Sequence, residues 1–289
     1  MRRVSETILL NGTALAARIR EGVLERANAI TAERGRPPRI VTILASDDAS
    51  AASYVQSKTK TAEKAGMQFE IRDLGAGATQ QRIDAVMDEL SGDRTVDAIV
   101  LELPLARGID PNRVLDRLDP AKDVDGLTAT NLGRLLAGRT DGIVAATPQA
   151  CVELAETFAP LSQRTVAVVG RGRTVGRPLA ALLLQRDATP LICHSRTERL
   201  EEAVRFCDVV IVAVGRAGLA GASMLRAGQI VIDAGINVAG GSVRGDVDRA
   251  AAESAGVAAL SPVPGGVGPV TTAILFRNVL RAIELQQTA

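Results

Sequence analysis

The stretch Thr165 to Pro178 reads TVAVVGRGRTVGRP, a short apolar run that stops at Gly170 and continues through Gly172 and Gly176 into the helical-looking PLAALLLQR. Strand, glycine turn and helix in that order bring backbone N–H groups and a helix N-terminus up to a phosphate. The spacing G-x-G-x-x-x-G is one residue longer than the usual dinucleotide fingerprint, and a tight turn without a ligand is the plainer alternative. In an NAD site an acid roughly 20 residues further on, at the tip of the second strand, holds the ribose 2′-hydroxyl. Here the second strand, Thr189 to Cys193, runs into His194, Ser195, Arg196 and Thr197 with no acid at its tip. Arg171 and Arg173 with Ser195 and Arg196 suit a 2′-phosphate, which predicts NADP; the bland reading is a solvated basic loop.

Other clusters lie outside that loop. Tyr54 and Lys58 stand four apart in SYVQSK, on one face of a predicted helix, where the unremarkable arrangement is a packed tyrosine beside a solvated lysine. A Tyr-x-x-x-Lys pair also occurs in short-chain dehydrogenases, but there it follows the glycine loop, and here it precedes it by over a hundred residues. Glu102, in LELPL, sits at the carboxyl end of a buried strand, where ligands of open α/β sheets bind. Lys122-Asp123-Val124-Asp125-Gly126 is a turn with two acids. The Pro- and Gly-dense stretch Ser261 to Pro269 leads into a last helix predicted from Val270, and its glycines suit a close backbone approach.

The elements that position these residues alternate. Helices are predicted over residues 13–31, Ser50 to Ala65 and Thr79 to Leu90, and strands over Arg39 to Ala45, Met67 to Leu74 and Val96 to Leu101. Gly133 to Ala146 reads as the exit toward a hinge, and after the glycine loop strands resume at Asp208 to Val214, Gln229 to Asp233 and Val257 to Leu260. The alternation predicts βαβ units on parallel sheets. At 289 residues two domains are the better expectation. The expected fold class is therefore α/β, two α/β domains with a cleft between them, the second a Rossmann-type dinucleotide-binding domain.

Composition excludes several function classes. A net charge of +1 with mixed signs gives no footprint for nucleic acid or a membrane surface. The first twelve residues are too polar for a signal-peptide core, and no run of about 18 apolar residues occurs, so a cytoplasmic chain is expected. Cys151, Cys193 and Cys207 have no metal-ligand spacing, and with one His a zinc or triad mechanism has little to build on; no metal is expected. Aromatics are 2% of residues, so the core must be packed from Ala, Val, Leu and Ile, and the single Tyr stands out.

YVQSK, LELPL, KDVDG, GRGRTVGRP, HSRT, DAGIN, GDVD and PVPGGVGPVT occur in the order found in the methylenetetrahydrofolate dehydrogenase/cyclohydrolase family, which the chain resembles from about residue 11 to 280. The resemblance implies a folate-binding catalytic domain (1–148 with 270–289), an NADP-binding domain (149–269), and a homodimer joined through the second. It implies oxidation of methylenetetrahydrofolate to the methenyl cation with NADP⁺, then hydrolysis to 10-formyltetrahydrofolate in one-carbon metabolism. By the same resemblance Lys58 is the catalytic lysine, Tyr54 stacks on the folate, and Asp125 hydrogen-bonds the pterin. Gly268, Pro269 and Thr271 form the substrate loop. Gly170, Arg171, Ser195 and Ile236 contact NADP, with Gly172 and Arg196 beside them.

The chain also departs from the family. Glu102 stands where the family has Gln, Ala106 replaces the second Pro of that motif, and Gly172 replaces a serine that is an expected 2′-phosphate donor. Ala145, Ala146 and Ala150 alter the segment before the hinge, Asp47 and Asp48 replace an Asn-Pro or Glu-Pro pair, and Thr128 occupies a position often held by His. A carboxylate within reach of Lys58 should favour the ammonium and oppose its use as a base, weakening hydrolysis while sparing oxidation. In the alternative, Glu102 is protonated and donates as an amide would, or shares a proton with Lys58. A diverged relative that binds folate or dinucleotide without turnover, and an enzyme for a modified carrier, are the remaining readings.

Overall fold

The structure, a computed structural model, describes residues 6–46, 49–239 and 242–287; the side chains of residues 49–54, 57 and 239 lie outside that description. In chain order the elements are β1 (Ile8–Leu9), α1 (Gly12–Arg34), β2 (Arg39–Leu44), α2 (Ala49–Lys64), β3 (Gln68–Asp73), α3 (Gln80–Gly92), β4 (Ala98–Leu101), α4 (Pro111–Leu115), α5 (Ala129–Leu136) and α6 (Ala146–Glu156). They continue as β5 (Thr165–Val169), α7 (Gly176–Leu184), β6 (Thr189–Cys193), α8 (Leu200–Phe206), β7 (Val209–Val212), β8 (Ile230–Asp233), β9 (Asn237–Ala239), β10 (Ser242–Arg244), α9 (Arg249–Ser254), β11 (Ala259–Leu260) and α10 (Val267–Gln287). Two compact units result: residues 18–146 with 275–289, and residues 1–17 with 147–274.

The first unit holds a parallel sheet of order β3-β2-β4. Its middle strand RIVTIL and the edge strand β4 are buried almost throughout, whereas the other edge strand, β3, is half-buried. On α1, Val23, Ala27 and Ile30 form the buried stripe at helical spacing. Thr79 caps α3 by accepting from the Arg82 N–H. The chain reverses direction of neighbour at β2, with β3 on one side and β4 on the other, so the carboxyl ends of β2 and β4 form a switch point.

The second unit holds a parallel sheet of order β1-β11-β8-β7-β5-β6 and an antiparallel hairpin, β9 with β10. The strands TVAVV, VVIV and IVID are buried along nearly their whole length because both of their faces are covered, and all but Thr165 and Asp233 in them are apolar. The sequence expectation gave the N-terminus to the catalytic domain. Instead Ile8–Leu9 pairs with Ala259–Leu260 and extends the six-stranded sheet, a two-residue strand that no local pattern marks. Gly133, expected on the way to a hinge, lies inside α5, whose N-cap is Thr128. The last helix starts at Val267 and not at Val270, so Gly268 and Pro269 belong to its first turn, where a proline needs no hydrogen-bonded N–H.

Candidate active site and cofactor pocket

At the carboxyl end of the three-stranded sheet, α2 delivers Lys58 and the residue after β4 is Glu102. Both are buried, each 6% exposed, and Lys58 Nζ donates to Glu102 Oε1 at 2.6 Å. The solvated lysine of the bland reading is thereby overturned. Thr42, mid-strand on β2 and fully buried, donates its hydroxyl to the same carboxylate oxygen at 3.1 Å. Its inward direction follows from strand alternation, but no sequence motif marked it as a site residue. The Glu102 N–H bonds Ile43 O, which ties the strand end to its neighbour.

Asp125 follows from the next turn. Asp123 accepts from the backbone N–H groups of Leu127 and Thr128 and from Asn131 Nδ2, and Lys122 Nζ donates to the carbonyls of Leu90, Ser91 and Asp93 at the end of α3. Gly126 has φ of 63° and its missing Cβ would lie 2.6 Å from Ala145 N, so only glycine fits. In KDVDG, then, Lys122, Asp123 and Gly126 build the turn and Asp125 is the acid left over. Asp125 retains some accessible surface but is surrounded closely enough that burial pushes its carboxyl up to about 7, Lys58 opposing and Glu102 and Asp123 reinforcing the shift. Tyr54 lies on α2 one turn before Lys58, and its side chain is outside the described residues.

At the carboxyl end of the six-stranded sheet the chain again reverses between β6 and β7 around β5. A pocket of about 570 Å³ opens there, lined by Gly170, Arg171, Gly172, His194, Ser195 and Arg216 among others. Gly170 has φ of 127° and its Cβ would meet Ala213 O at 2.2 Å; a Cβ on Gly176 would meet Gly170 O at 2.2 Å. These two glycines let strand and helix close up. Gly172 differs: its Cβ would meet nothing within 4 Å. The N-terminus of α7 has no side-chain cap at Val175; its Arg177 N–H bonds Gly172 O, which folds the glycine loop onto the helix, and Pro178 brings no N–H. These features fit a dinucleotide. Arg196 and Ile236 do not line this pocket, although Arg196 N–H bonds His194 Nδ1 and fixes the corner beside it. Arg216 was missed by the sequence reading.

On the loop before α10, Ser261 Oγ accepts from Asp233 N–H at 2.7 Å, and Gly266 would bring a Cβ within 2.5 Å of Pro262 O. The buried Thr271 hydroxyl oxygen has no hydrogen-bond partner among the described residues. Burial pushes the Cys151 thiol up to about 12 and that of Cys207 up to about 11, so neither is a thiolate near neutral pH.

The family model for the tetrahydrofolate dehydrogenase/cyclohydrolase catalytic domain matches residues 10–125, and that for the NAD(P)-binding domain matches residues 145–287. The bifunctional protein FolD of Nocardia farcinica is 47% identical over 281 residues, 96% of this chain and 98% of that protein; its counterpart in Heliobacterium modesticaldum is 43% identical over 280 residues, 96% of each. Among solved structures, the bifunctional FolD methylenetetrahydrofolate dehydrogenase/cyclohydrolase of Campylobacter jejuni superposes with a TM-score of 0.92 at 33% identity, covering 97% of this chain and 99% of that one. The Trypanosoma brucei enzyme, solved with NADP and an inhibitor, gives 0.92 at 32% identity over 98% and 99%. With both domain models matched in order and relatives similar along nearly their whole length, the chain belongs to the tetrahydrofolate dehydrogenase/cyclohydrolase family.

Proposed function

We propose that this protein oxidises 5,10-methylenetetrahydrofolate with NADP⁺ and hydrolyses the methenyl product to 10-formyltetrahydrofolate, the second reaction held back by Glu102. The observation that carries this reading is the buried lysine of the YVQSK motif, Lys58, at the sheet end where Asp125 also stands. Asp125 is assigned to the pterin, Tyr54 to stacking on it, and Gly268, Pro269 and Thr271 to the substrate. The unpartnered Thr271 hydroxyl supports the last of these. Gly170, Arg171, Gly172 and Ser195 are assigned to the dinucleotide, with Arg196 and Ile236 outside the pocket those residues line.

NADP⁺, when bound, supplies the hydride acceptor. The protein's part in that step is positioning, which needs no proton transfer. Hydrolysis is different: water adds to the methenyl carbon and loses one proton, and the carbon–nitrogen bond of the bridge then opens as the remaining hydroxyl proton passes to the departing nitrogen, leaving the formyl group on the other. A neutral amine at Lys58 takes that proton; an ammonium cannot. Glu102 at 2.6 Å favours the ammonium. This favours a second reading, a dehydrogenase with little hydrolysis.

Two rates on the wild-type protein test the proposal: NADPH formation from methylenetetrahydrofolate, and methenyltetrahydrofolate decay above the buffer background. Both are expected, with hydrolysis the slower; no NADPH formation contradicts the enzyme assignment. A homodimer is also proposed. Leu191 and Ile192 on the edge strand β6, with Leu184 and Phe206 nearby in sequence, expose apolar surface that a second copy would cover. Sedimentation at twice the chain mass is expected.

A further inference from the structure

Every residue lining the cofactor pocket is neutral or cationic, and Arg171 and Arg216 supply its two guanidinium groups. No carboxylate stands among the lining residues beside them. Arg171 lies in the glycine loop, as expected. Arg216 arrives from elsewhere, on the turn after β7, across β5 from the His194–Ser195 tip of β6.

The main chain at Arg216 is fixed by a buried acid. Asp246, 0% exposed, accepts from three successive backbone N–H groups, those of Val214 at 2.6 Å, Gly215 at 2.9 Å and Arg216 at 2.8 Å, and from Asn237 Nδ2 at 2.9 Å. Its own N–H is held by Asp233 Oδ1 at 3.0 Å. A Cβ on Gly235 would strike the Asp246 carboxyl at 2.2 Å, so the glycine of DAGIN makes room for this acid. Backbone amides thus satisfy the Asp246 charge and leave the Arg216 guanidinium uncommitted to it.

We propose that Arg216, held in place by Asp246, is a cofactor-binding residue that grips the 2′-phosphate of the dinucleotide together with Arg171 and Ser195. The glycine loop accounts for a pyrophosphate, and Leu200 and Leu219 offer an apolar wall to a base. The anion left to place is the one at the β6 tip, where the ribose 2′ position is read. Gly172 brings no side-chain donor to it, and Arg216 supplies a planar, permanently charged one. The inference rests on the NADP reading above.

Titration calorimetry with 2′,5′-ADP and with 5′-ADP, on wild type and Arg216→Gln, tests it without turnover. Wild type should bind 2′,5′-ADP at least about tenfold more tightly than 5′-ADP, and Arg216→Gln should lose about tenfold for 2′,5′-ADP while 5′-ADP changes less than about twofold. Arg216→Lys should fall between them. Wild-type discrimination that survives in Arg216→Gln overturns the role of Arg216 alone, as does an equal loss for both ligands, which would place the side chain on the base or the pyrophosphate. A wild type that does not discriminate overturns the NADP reading and the role of Arg216 with it.

Discussion

At the carboxyl end of the three-stranded sheet Lys58 and Glu102 are buried and neutralise each other at 2.6 Å, with Asp125 as a third titratable group nearby. At the carboxyl end of the six-stranded sheet Arg171 and Arg216 face a pocket with no carboxylate in its lining. Both places are switch points of parallel sheets, so topology alone gives each a ligand site. What differs is how charge is handled. The first region has its charges internally compensated, and its chemistry depends on where a proton resides. The second keeps its charge uncompensated and recognises an anion through guanidinium groups that never titrate.

The contrast can be broken most severely at Lys58. Lys58→Met leaves Glu102 buried without its cation and should destabilise the fold by about 3–5 kcal/mol in urea unfolding, with hydrolysis lost. The double variant with Glu102→Gln should recover most of that stability; equal stability of the single and double variants would mean the pair is not a unit.

Asp125 gives the next largest effect, and it depends on pH. With its carboxyl at about 7, the folded chain holds a proton that the unfolded chain releases near pH 4. Its contribution to stability is therefore greatest below about pH 4 and is lost as pH rises through 7, by up to about 1.4 kcal/mol per unit. Asp125→Asn should remove that slope, so its Tm should gain on wild type at pH 8 and not at pH 4. An unchanged Tm difference across that range would count against the burial of the charge.

In the second region effects should be smaller and confined to binding. Gly176→Ala puts a Cβ 2.2 Å from Gly170 O and should cost about 1–3 kcal/mol while weakening NADP binding. Gly172→Ser, into open space, should tighten NADP binding by about threefold to tenfold with no change in the NADP-independent hydrolysis. A loss of affinity would show that the open side of Gly172 does not face the phosphate.

Much of this was legible before any coordinates. The strand Thr165–Val169 has the bounds that its apolar run sets, because a strand covered on both faces leaves a continuous signature, and Thr189–Cys193, an exposed edge strand, was placed by its distance from the glycine loop. Glu102 was readable from its place after a buried strand, and its meeting with Lys58 followed from the family's motif. Thr42 and Arg216 were not readable. One is a single hydroxyl inside an apolar strand, and the other owes its position to Asp246, thirty residues further along the chain. Ile8–Leu9 was hidden for the same reason, since only its pairing with Ala259–Leu260 makes it a strand.

If the Lys58–Glu102 pair slows hydrolysis and leaves oxidation in place, the ratio of methenyltetrahydrofolate hydrolysis to NADP⁺ reduction should differ between wild type and Glu102→Gln. That ratio is expected to rise by about tenfold or more as Lys58 loses its carboxylate partner and can act as a base. A ratio that stays the same or falls would contradict it, and would make Glu102 a working part of the hydrolytic site.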